Sequence, residues 1–251
     1  MNNSDTTGFT ERLPAILPVR KTEHFNIYYY PDSVAEKEIN HITAQREKAY
    51  EDISAFLNAA VNTNIDLYLF DDAVIKETET GHRRDGAGWA FDNIIVEIYN
   101  ENVKCHPYHE LAHIIATDVL GYTVSFLCEG LAVYLSDHFL NTDFGDQVNY
   151  NIHEKIARYY AENELFSLRE MFSLQIGASG SRNLVSYPQA GVIFEYLLNS
   201  YGKEKVFDLY KSLYSDFSSE GTAANIREFE KICGKTVEQV NKDWLNTIRS
   251  L

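Results

Sequence analysis

The stretch His109-Glu110-Leu111-Ala112-His113 says more about this chain than any other five residues. On an α-helix, residues four apart share one face, so His109 and His113 can hold one metal ion between them. Glu110 follows about 100° around the helix, within reach of a water on that metal. The stretch is otherwise apolar through Ala116, as in a buried helix. A buried helix with two imidazoles and a carboxylate predicts a metal site, and a surface helix with solvated histidines is the alternative.

The segment from Phe126 to Tyr134 is predicted to open a second apolar helix, after a turn around Gly121. It carries one acid, Glu129, which an antiparallel helix pair can bring to the metal. Two histidines leave a tetrahedral zinc short of a protein ligand, and we expect Glu129 to supply it. A carboxylate that is only stabilised by the helix N-terminus is the alternative for Glu129. Three other residues are weaker candidates for the third ligand: Asp118, Asp137 and Cys128. Two imidazoles and one carboxylate favour Zn²⁺ over calcium or magnesium.

The two helices together resemble a known family. HELAH at 109–113 followed by CEGLAVYL at 128–135 resembles the gluzincin branch of zinc metallopeptidases, and in particular its small peptidase MA-like proteins. The resemblance extends to HFNIYYY at 24–30, SYPQAGVIFEYLLNSYG at 186–202 and the ending at 229–251. It implies a zincin-like fold, zinc as cofactor, peptide or protein substrates, and Glu110 as the general base.

The resemblance also implies a catalytic tyrosine, and we expect the strand near 91–98 to form the upper edge of the cleft and to pair with an extended substrate. Tyr187 matches the position from which gluzincins donate a hydrogen bond to the oxyanion, and we expect it to be a helix N-cap with Pro188 at the first helical position. A packing role is the alternative for Tyr187. Substrate is expected at Gly88, Trp89 and Ala90, in a segment that lacks the amine-binding glutamate of the large aminopeptidases. Glu97 lies on the nearby strand, but we expect it to point away from the metal-binding helix if Val96 and Ile98 face the core. Cleavage within a chain is therefore expected.

The fold class predicted from the whole sequence is α+β. We expect an N-terminal arm over 1–21 and a single zincin-like domain over 22–251, with an α/β lobe at 22–105 and a helical lobe at 106–251. The α/β lobe is expected to hold strands at 24–30, 65–70 and 89–99, a helix from Ser33 to Asn58, and a loop over 71–88. Helices are expected at 107–119, 126–140, 146–162, 187–200, 203–215, 222–232 and 236–250, with a loop at 174–186 and breaks at Gly121, Gly202, Gly221 and Gly234.

Composition excludes several classes of protein. The 251 residues include 37 acidic and 22 basic side chains, giving a formal charge of −15 that repels nucleic acid. No apolar run is long enough to span a membrane. The polar start indicates a cytoplasmic protein if it is native, or an extracytoplasmic one if a leader was removed. The sequence leaves the oligomeric state open.

These features predict a zinc-dependent peptidase in which Glu110 takes a proton from the attacking water. A binding module that keeps the metal for stability is one alternative, although such a module has no need of Glu110 as a base. A zinc hydrolase that acts on a non-peptide amide is another, and the sequence does not separate it from a peptidase.

Overall fold

The computed structural model describes residues 17–61, 63–81, 87–104, 106–139, 151–178 and 180–249. Most of the expected arm, part of the loop expected over 71–88, the last residue of the helix expected at 126–140 and the start of the helix expected at 146–162 lie outside these residues. The chain divides into two compact units, Met1–Ile115 and Ala116–Leu251. The first contains a mixed sheet with helices, and the described part of the second is helical, which confirms the α+β fold class. The expected single domain stays a prediction.

The first unit is built on a five-stranded mixed sheet. Its strands follow the order β1-β2-β3-β5-β4, in which β2, β3 and β5 are parallel and the two outer strands are antiparallel to their neighbours. The strands are β1 (Val19–Lys21), β2 (Phe25–Tyr29), β3 (Ile65–Phe70), β4 (Gly88–Phe91) and β5 (Ile94–Ile98). The helices are α1 (Val34–Lys37), α2 (Ile39–Leu57), α3 (Ala73–Thr80) and α4 (His109–Leu120), the last of which continues into the second unit.

Where one strand was expected at 89–99, the chain forms two. A turn at Asp92, whose φ is +49°, reverses the chain between β4 and β5. The outermost strand at this end of the sheet is therefore β4. Strand β5 lies between β3 and β4, so the expectation that the strand near 91–98 forms an edge is wrong. Aspartate is one of the few residues that enter the left-handed region readily, because its short side chain bonds locally.

The expectations for the α/β lobe need three more corrections. Helix α3 lies within the expected loop at 71–88, and the Asp72 side chain caps it by accepting from the N–H groups of Val74 and Ile75. The helix expected from Ser33 to Asn58 is broken at Glu38 into α1 and α2. Strand β1 lies within the stretch expected to be an arm.

The described part of the second unit consists of packed helices. These are α5 (Ser125–Phe139), α6 (Ile152–Ala161), α7 (Leu168–Ser173), α8 (Asn183–Tyr201), α9 (Lys203–Ser212), α10 (Ser219–Cys233) and α11 (Val237–Ile248). The expected breaks at Gly121, Gly202 and Gly234 are confirmed, since each has a positive φ. The break expected at Gly221 is wrong, because this glycine lies inside α10.

Two helices of the second unit differ from expectation. Helix α7 was not expected, although Ser167 and Glu170 form a capping box at its start. Helix α8 begins at Asn183 and not at the expected loop end, so Tyr187 is an interior residue and not an N-cap. Pro188 accordingly lies inside the helix. The carbonyl that Pro188 leaves unbonded belongs to Leu184, whose residue is 80% exposed, so water can satisfy it.

Candidate metal centre

The two histidines of α4 and the glutamate of α5 form one group. His109, His113 and Glu129 each offer a ligand atom, and these atoms all lie within 4.8 Å of one another. The two imidazole rings are 5.0 Å apart at their centroids and nearly perpendicular. Each of the three residues is half-buried. The three predicted ligands are therefore brought together as one possible metal site.

The donor set fits zinc. Two ring nitrogens and a carboxylate oxygen are the ligands of many catalytic zinc ions, which leave a fourth position open. Ligand bonds of about 2.0–2.2 Å place tetrahedral donors roughly 3.5 Å apart. The ligand atoms of His109, His113 and Glu129 lie within 4.8 Å of one another, a limit that includes this spacing.

Glu110 lies against the outermost strand of the sheet. A Cβ atom added at Gly88 in β4 would lie 2.8 Å from Oε1 of Glu110 and 3.2 Å from its Cγ. Gly88 is thus required by a close approach, because any side chain there would displace the carboxylate. The proposed base and a residue of the predicted substrate-binding segment are in contact.

The three residues expected to bind substrate point in different directions. Ile98 donates its N–H to the carbonyl of Ala87, so every second residue of β4 is bonded to β5. The backbone groups of the residues in between, Gly88 and Ala90, are consequently directed away from β5. The Trp89 side chain lies on the other face of the sheet, stacked on Phe91 at 5.6 Å.

A buried ion pair lies beside Glu110. Glu97 in β5 is directly opposite Gly88, and opposite residues of an antiparallel pair project to the same face. Its carboxylate accepts hydrogen bonds from Arg46 of α2, at 3.1 Å to Oε1 and with a second bond to Oε2. Burial raises the pKa of Glu97, and the Arg46 charge opposes that rise. Sequence reasoning expected Glu97 to point away from the metal-binding helix, which is wrong, because β5 is buried on both faces.

The segment before α4 is fixed to α2. Nη1 of Arg46 also donates to the carbonyl of Pro107, at 3.4 Å. The hydroxyl of the buried residue Tyr108 donates to Oδ2 of Asp52 at 2.9 Å, and burial together with this bond raises the pKa of Tyr108. Burial lowers the pKa of His106 to about 3, so this histidine is neutral near pH 7. The segment that leads to His109 is thus held by two hydrogen bonds to residues of α2, one at Pro107 and one at Tyr108.

Glu129 is held by a close crossing of two helices within the second unit. A Cβ at the next residue, Gly130, would lie 2.7 Å from the carbonyl oxygen of Ala190 in α8. A Cβ at Gly191 would lie 2.6 Å from Cγ1 of Val133. The backbones of α5 and α8 approach this closely because glycine occupies both positions. On another side of α5, burial raises the pKa of Tyr210, with Cys128 and then Glu129 adding to the rise.

Tyr187 is placed in the same unit by α8. Its hydroxyl would be 3.1 Å from a Cβ at Gly177, whose φ of +88° also requires glycine. The neighbouring loop is ordered by Asn183, which accepts from the N–H of Gly177, and by Ser125, whose hydroxyl accepts from the N–H of Ile176. The tyrosine therefore has a defined surrounding, although it is not the helix cap that was expected.

Arg46 and Glu97 are the residues that sequence reasoning missed near this centre. Both stand where an apolar residue is expected, Arg46 within the buried stripe of α2 and Glu97 within the run Ile94 to Ile98. Charged residues are rarely fully buried unless they are paired. Two charges of opposite sign in apolar positions were a signal that could have been found.

Comparison with known proteins shows the class of fold. Similar solved structures include a mutant of a two-domain M1 zinc metallopeptidase bound to L-tryptophan, with 13% identity and a TM-score of 0.55. Two structures of an M1 zinc metallopeptidase from Deinococcus radiodurans, one of them a mutant, share 14% identity with TM-scores of 0.52 and 0.51. Each match covers 91% of this chain and 50% of the other, so the chain spans about half the length of those proteins.

At such identities the likeness shows a shared fold, that of zinc metallopeptidase domains. Neither the comparison with known protein families nor that with curated proteins gives a match. Among the described residues, no helix has both the length and the apolar character needed to cross a bilayer.

Proposed function

We propose that the chain is a zinc-dependent peptidase that hydrolyses peptide bonds. The observation that carries the proposal is the grouping of His109, His113 and Glu129, with the adjacent Glu110 lying against an outermost strand. A zinc site kept only for stability is closed by four protein ligands and has no use for a carboxylate base beside them. The fold of zinc metallopeptidases supports the same conclusion.

In this proposal, His109, His113 and Glu129 hold the metal. A zinc ion bound there would lower the pKa of a bound water to about 7 and polarise the scissile carbonyl. Glu110 accepts the proton of the attacking water and delivers it to the leaving amine, so it serves in turn as base and acid. Gly88 leaves the space that the Glu110 carboxylate occupies in that role.

The outermost strand supports an extended substrate. The N–H and C=O groups of Gly88 and Ala90 are directed away from β5. Their spacing allows an additional strand, antiparallel or parallel, to form hydrogen bonds with β4. A peptide bound in this way gains main-chain hydrogen bonds that do not depend on its sequence. Trp89 does not take part in this way, because its backbone is turned toward β5 and its side chain is on the other face of the sheet.

We propose cleavage within a chain and not only next to a free amino terminus. A substrate ammonium needs a carboxylate to offset its desolvation. Glu97 does not serve, since it is fully buried and bonded to Arg46. Residues 88–98, which form β4, β5 and the turn between them, contain one other carboxylate, that of Asp92. It is exposed to solvent in the turn.

Tyr187 is the proposed oxyanion donor. A phenol donates a hydrogen bond to developing negative charge without competing for the metal. The packing of Gly177 against its hydroxyl supports this role, since a defined position is what such a donor requires.

The proposal is tested with a pair of peptides that differ only in an amino-terminal acetyl group. The zinc-loaded chain is expected to cleave both at internal bonds and at similar rates, as read by mass spectrometry. Chelation should abolish cleavage, and added zinc should restore it. Cleavage that requires the free amine would contradict endopeptidase action, and no zinc-dependent cleavage of a broad peptide library would contradict the peptidase assignment.

A further inference from the structure

The ion pair between Arg46 and Glu97 does more than fill the core of the first unit. The two side chains are 2% and 0% exposed. Removing two charges from water is unfavourable, and apolar residues of similar volume often stabilise a core equally well or better. Stability by itself is therefore a weak reason for this pair to be here. Its neighbours suggest another reason.

Glu97 shares its face of the sheet with Glu110. Gly88 is the cross-strand neighbour of Glu97, and the Glu110 carboxylate occupies the volume that a side chain at Gly88 would take. Opposite positions on one face of a sheet are about 5 Å apart at Cβ. The Glu97 and Glu110 carboxyl groups are therefore neighbours, and the charges of Glu110 and His109 both affect the Glu97 carboxyl.

Arg46 joins Glu97 to the start of the metal-binding helix. One guanidinium group bonds both oxygens of Glu97 and the carbonyl of Pro107, which lies two residues before His109. The planar guanidinium fixes these acceptors in direction as well as distance. Movement of the first turn of α4 relative to β5 would break one of these bonds.

We propose that Arg46 and Glu97 are positioning residues that hold the first turn of α4 in a fixed position relative to the outermost strand. His109 and Glu110 are held in place with that turn. The inference rests on the proposed function only for the role of Glu110 in hydrolysis. Neither residue touches substrate. Their effect is on where the ligand and the base stand, and small displacements of such groups reduce rates strongly.

The test uses a double variant that removes the pair without leaving a lone buried charge. Arg46→Met/Glu97→Leu replaces both residues by apolar ones of similar size, so the fold is expected to survive. Arg46→Lys is a second variant, which keeps the charge but lacks the planar fork. Glu47→Gln is the matched control, because Glu47 is the next residue of α2 and pairs with His24 at 2.6 Å.

Cobalt(II) affinity, read from the visible spectrum, and peptide kinetics are measured for each folded variant. The double variant is expected to bind cobalt about tenfold more weakly, the effect of losing an outer-sphere support. Its kcat should fall about tenfold or more while KM stays within about twofold. For Arg46→Lys, the cobalt affinity and kcat should both lie between those of the parent and those of the double variant. Glu47→Gln should match the parent in both measurements, with thermal unfolding verifying the fold throughout.

Parent-like cobalt affinity and kcat in the folded double variant would overturn the inference, as would equal losses in Glu47→Gln. The two proposals fail separately. If the parent binds cobalt but cleaves no peptide, the proposed function is wrong, while cobalt affinity still decides whether the pair positions His109.

Discussion

The two helices that carry the candidate ligands are anchored by different means. In the first unit, the segment leading into α4 is tied to α2 by directional polar contacts, from Arg46 to Pro107 and from Tyr108 to Asp52. In the second unit, α5 is set against α8 by close approach at Gly130 and Gly191. Helix α4 is thus held by hydrogen bonds, whereas α5 is held by close backbone packing that two glycines permit.

The two kinds of anchor respond differently to substitution. A polar anchor can be lost without a change in volume, so its removal mainly displaces what it holds. A steric anchor fails when atoms are added, and the packed helices then move apart or strain. We therefore expect changes near α4 to affect metal binding and chemistry more than stability, and changes at the crossing of α5 with α8 to affect stability first.

Among changes to the two anchored helices, the largest effect on metal binding is expected from a ligand itself. Glu129→Ala removes one of three protein donors and should weaken zinc affinity by more than about 100-fold, since losing even an outer-sphere support has an effect of 10- to 100-fold. Competition with a chromophoric chelator measures the affinity. Asp137→Asn, on the same helix, is the control and should leave the affinity unchanged. Equal affinities of Glu129→Ala and the parent would remove Glu129 from the site.

The next effect tests the second unit's contribution to chemistry. Tyr187→Phe should lower kcat by about 100-fold, the loss that follows removal of one oxyanion donor. Zinc content and thermal stability should stay at the parent level, and Tyr196→Phe on the same helix should behave as the parent. A parent-like kcat for Tyr187→Phe would show that Tyr187 is a packing residue.

The smallest effect concerns stability at the crossing. Gly191→Ala should lower the free energy of unfolding by about 1–3 kcal/mol through overpacking. Its new methyl meets Cγ1 of Val133, so Val133→Ala should recover part of the loss when the two are combined. Gly130→Ala meets the backbone carbonyl of Ala190, and Val133→Ala should not rescue it. Denaturant titration of each combination measures the coupling. Strictly additive losses for Gly191→Ala and Val133→Ala would contradict the steric account.

Much of the fold could be predicted because local patterns were strong. The apolar stretches around HELAH and CEGLAVYL predicted α4 and α5 within one or two residues. Helix α3 was missed because its sequence, AVIKETET, is mostly polar and reads as a loop. Pro188 misled the placement of α8, since proline is common in the first turn of a helix and rare inside one.

The sequence predicted the three candidate ligands, but not the buried ion pair that lies beside them. His109 and His113 are one helical turn apart, so spacing alone indicates that they share a metal. Arg46 and Glu97 each stand out as a charge in an apolar position, but the packing of α2 on the sheet brings them together, and no local pattern shows which charges will meet. Glu97 was expected to point away from the metal-binding helix on the assumption that only the face with Val96 and Ile98 is covered. Strand β5 is buried on both faces, and the face with Glu97 is the one that Glu110 approaches.

The account depends most directly on the separate roles of Glu110 and the three ligands. Zinc content and peptide hydrolysis should therefore be measured together on the parent and on Glu110→Gln. We expect near one zinc per chain in both, the same unfolding temperature, and a rate that is about 100- to 10,000-fold lower in Glu110→Gln. Hydrolysis at the parent rate by zinc-loaded Glu110→Gln, or a parent chain that takes up no zinc, would contradict the account.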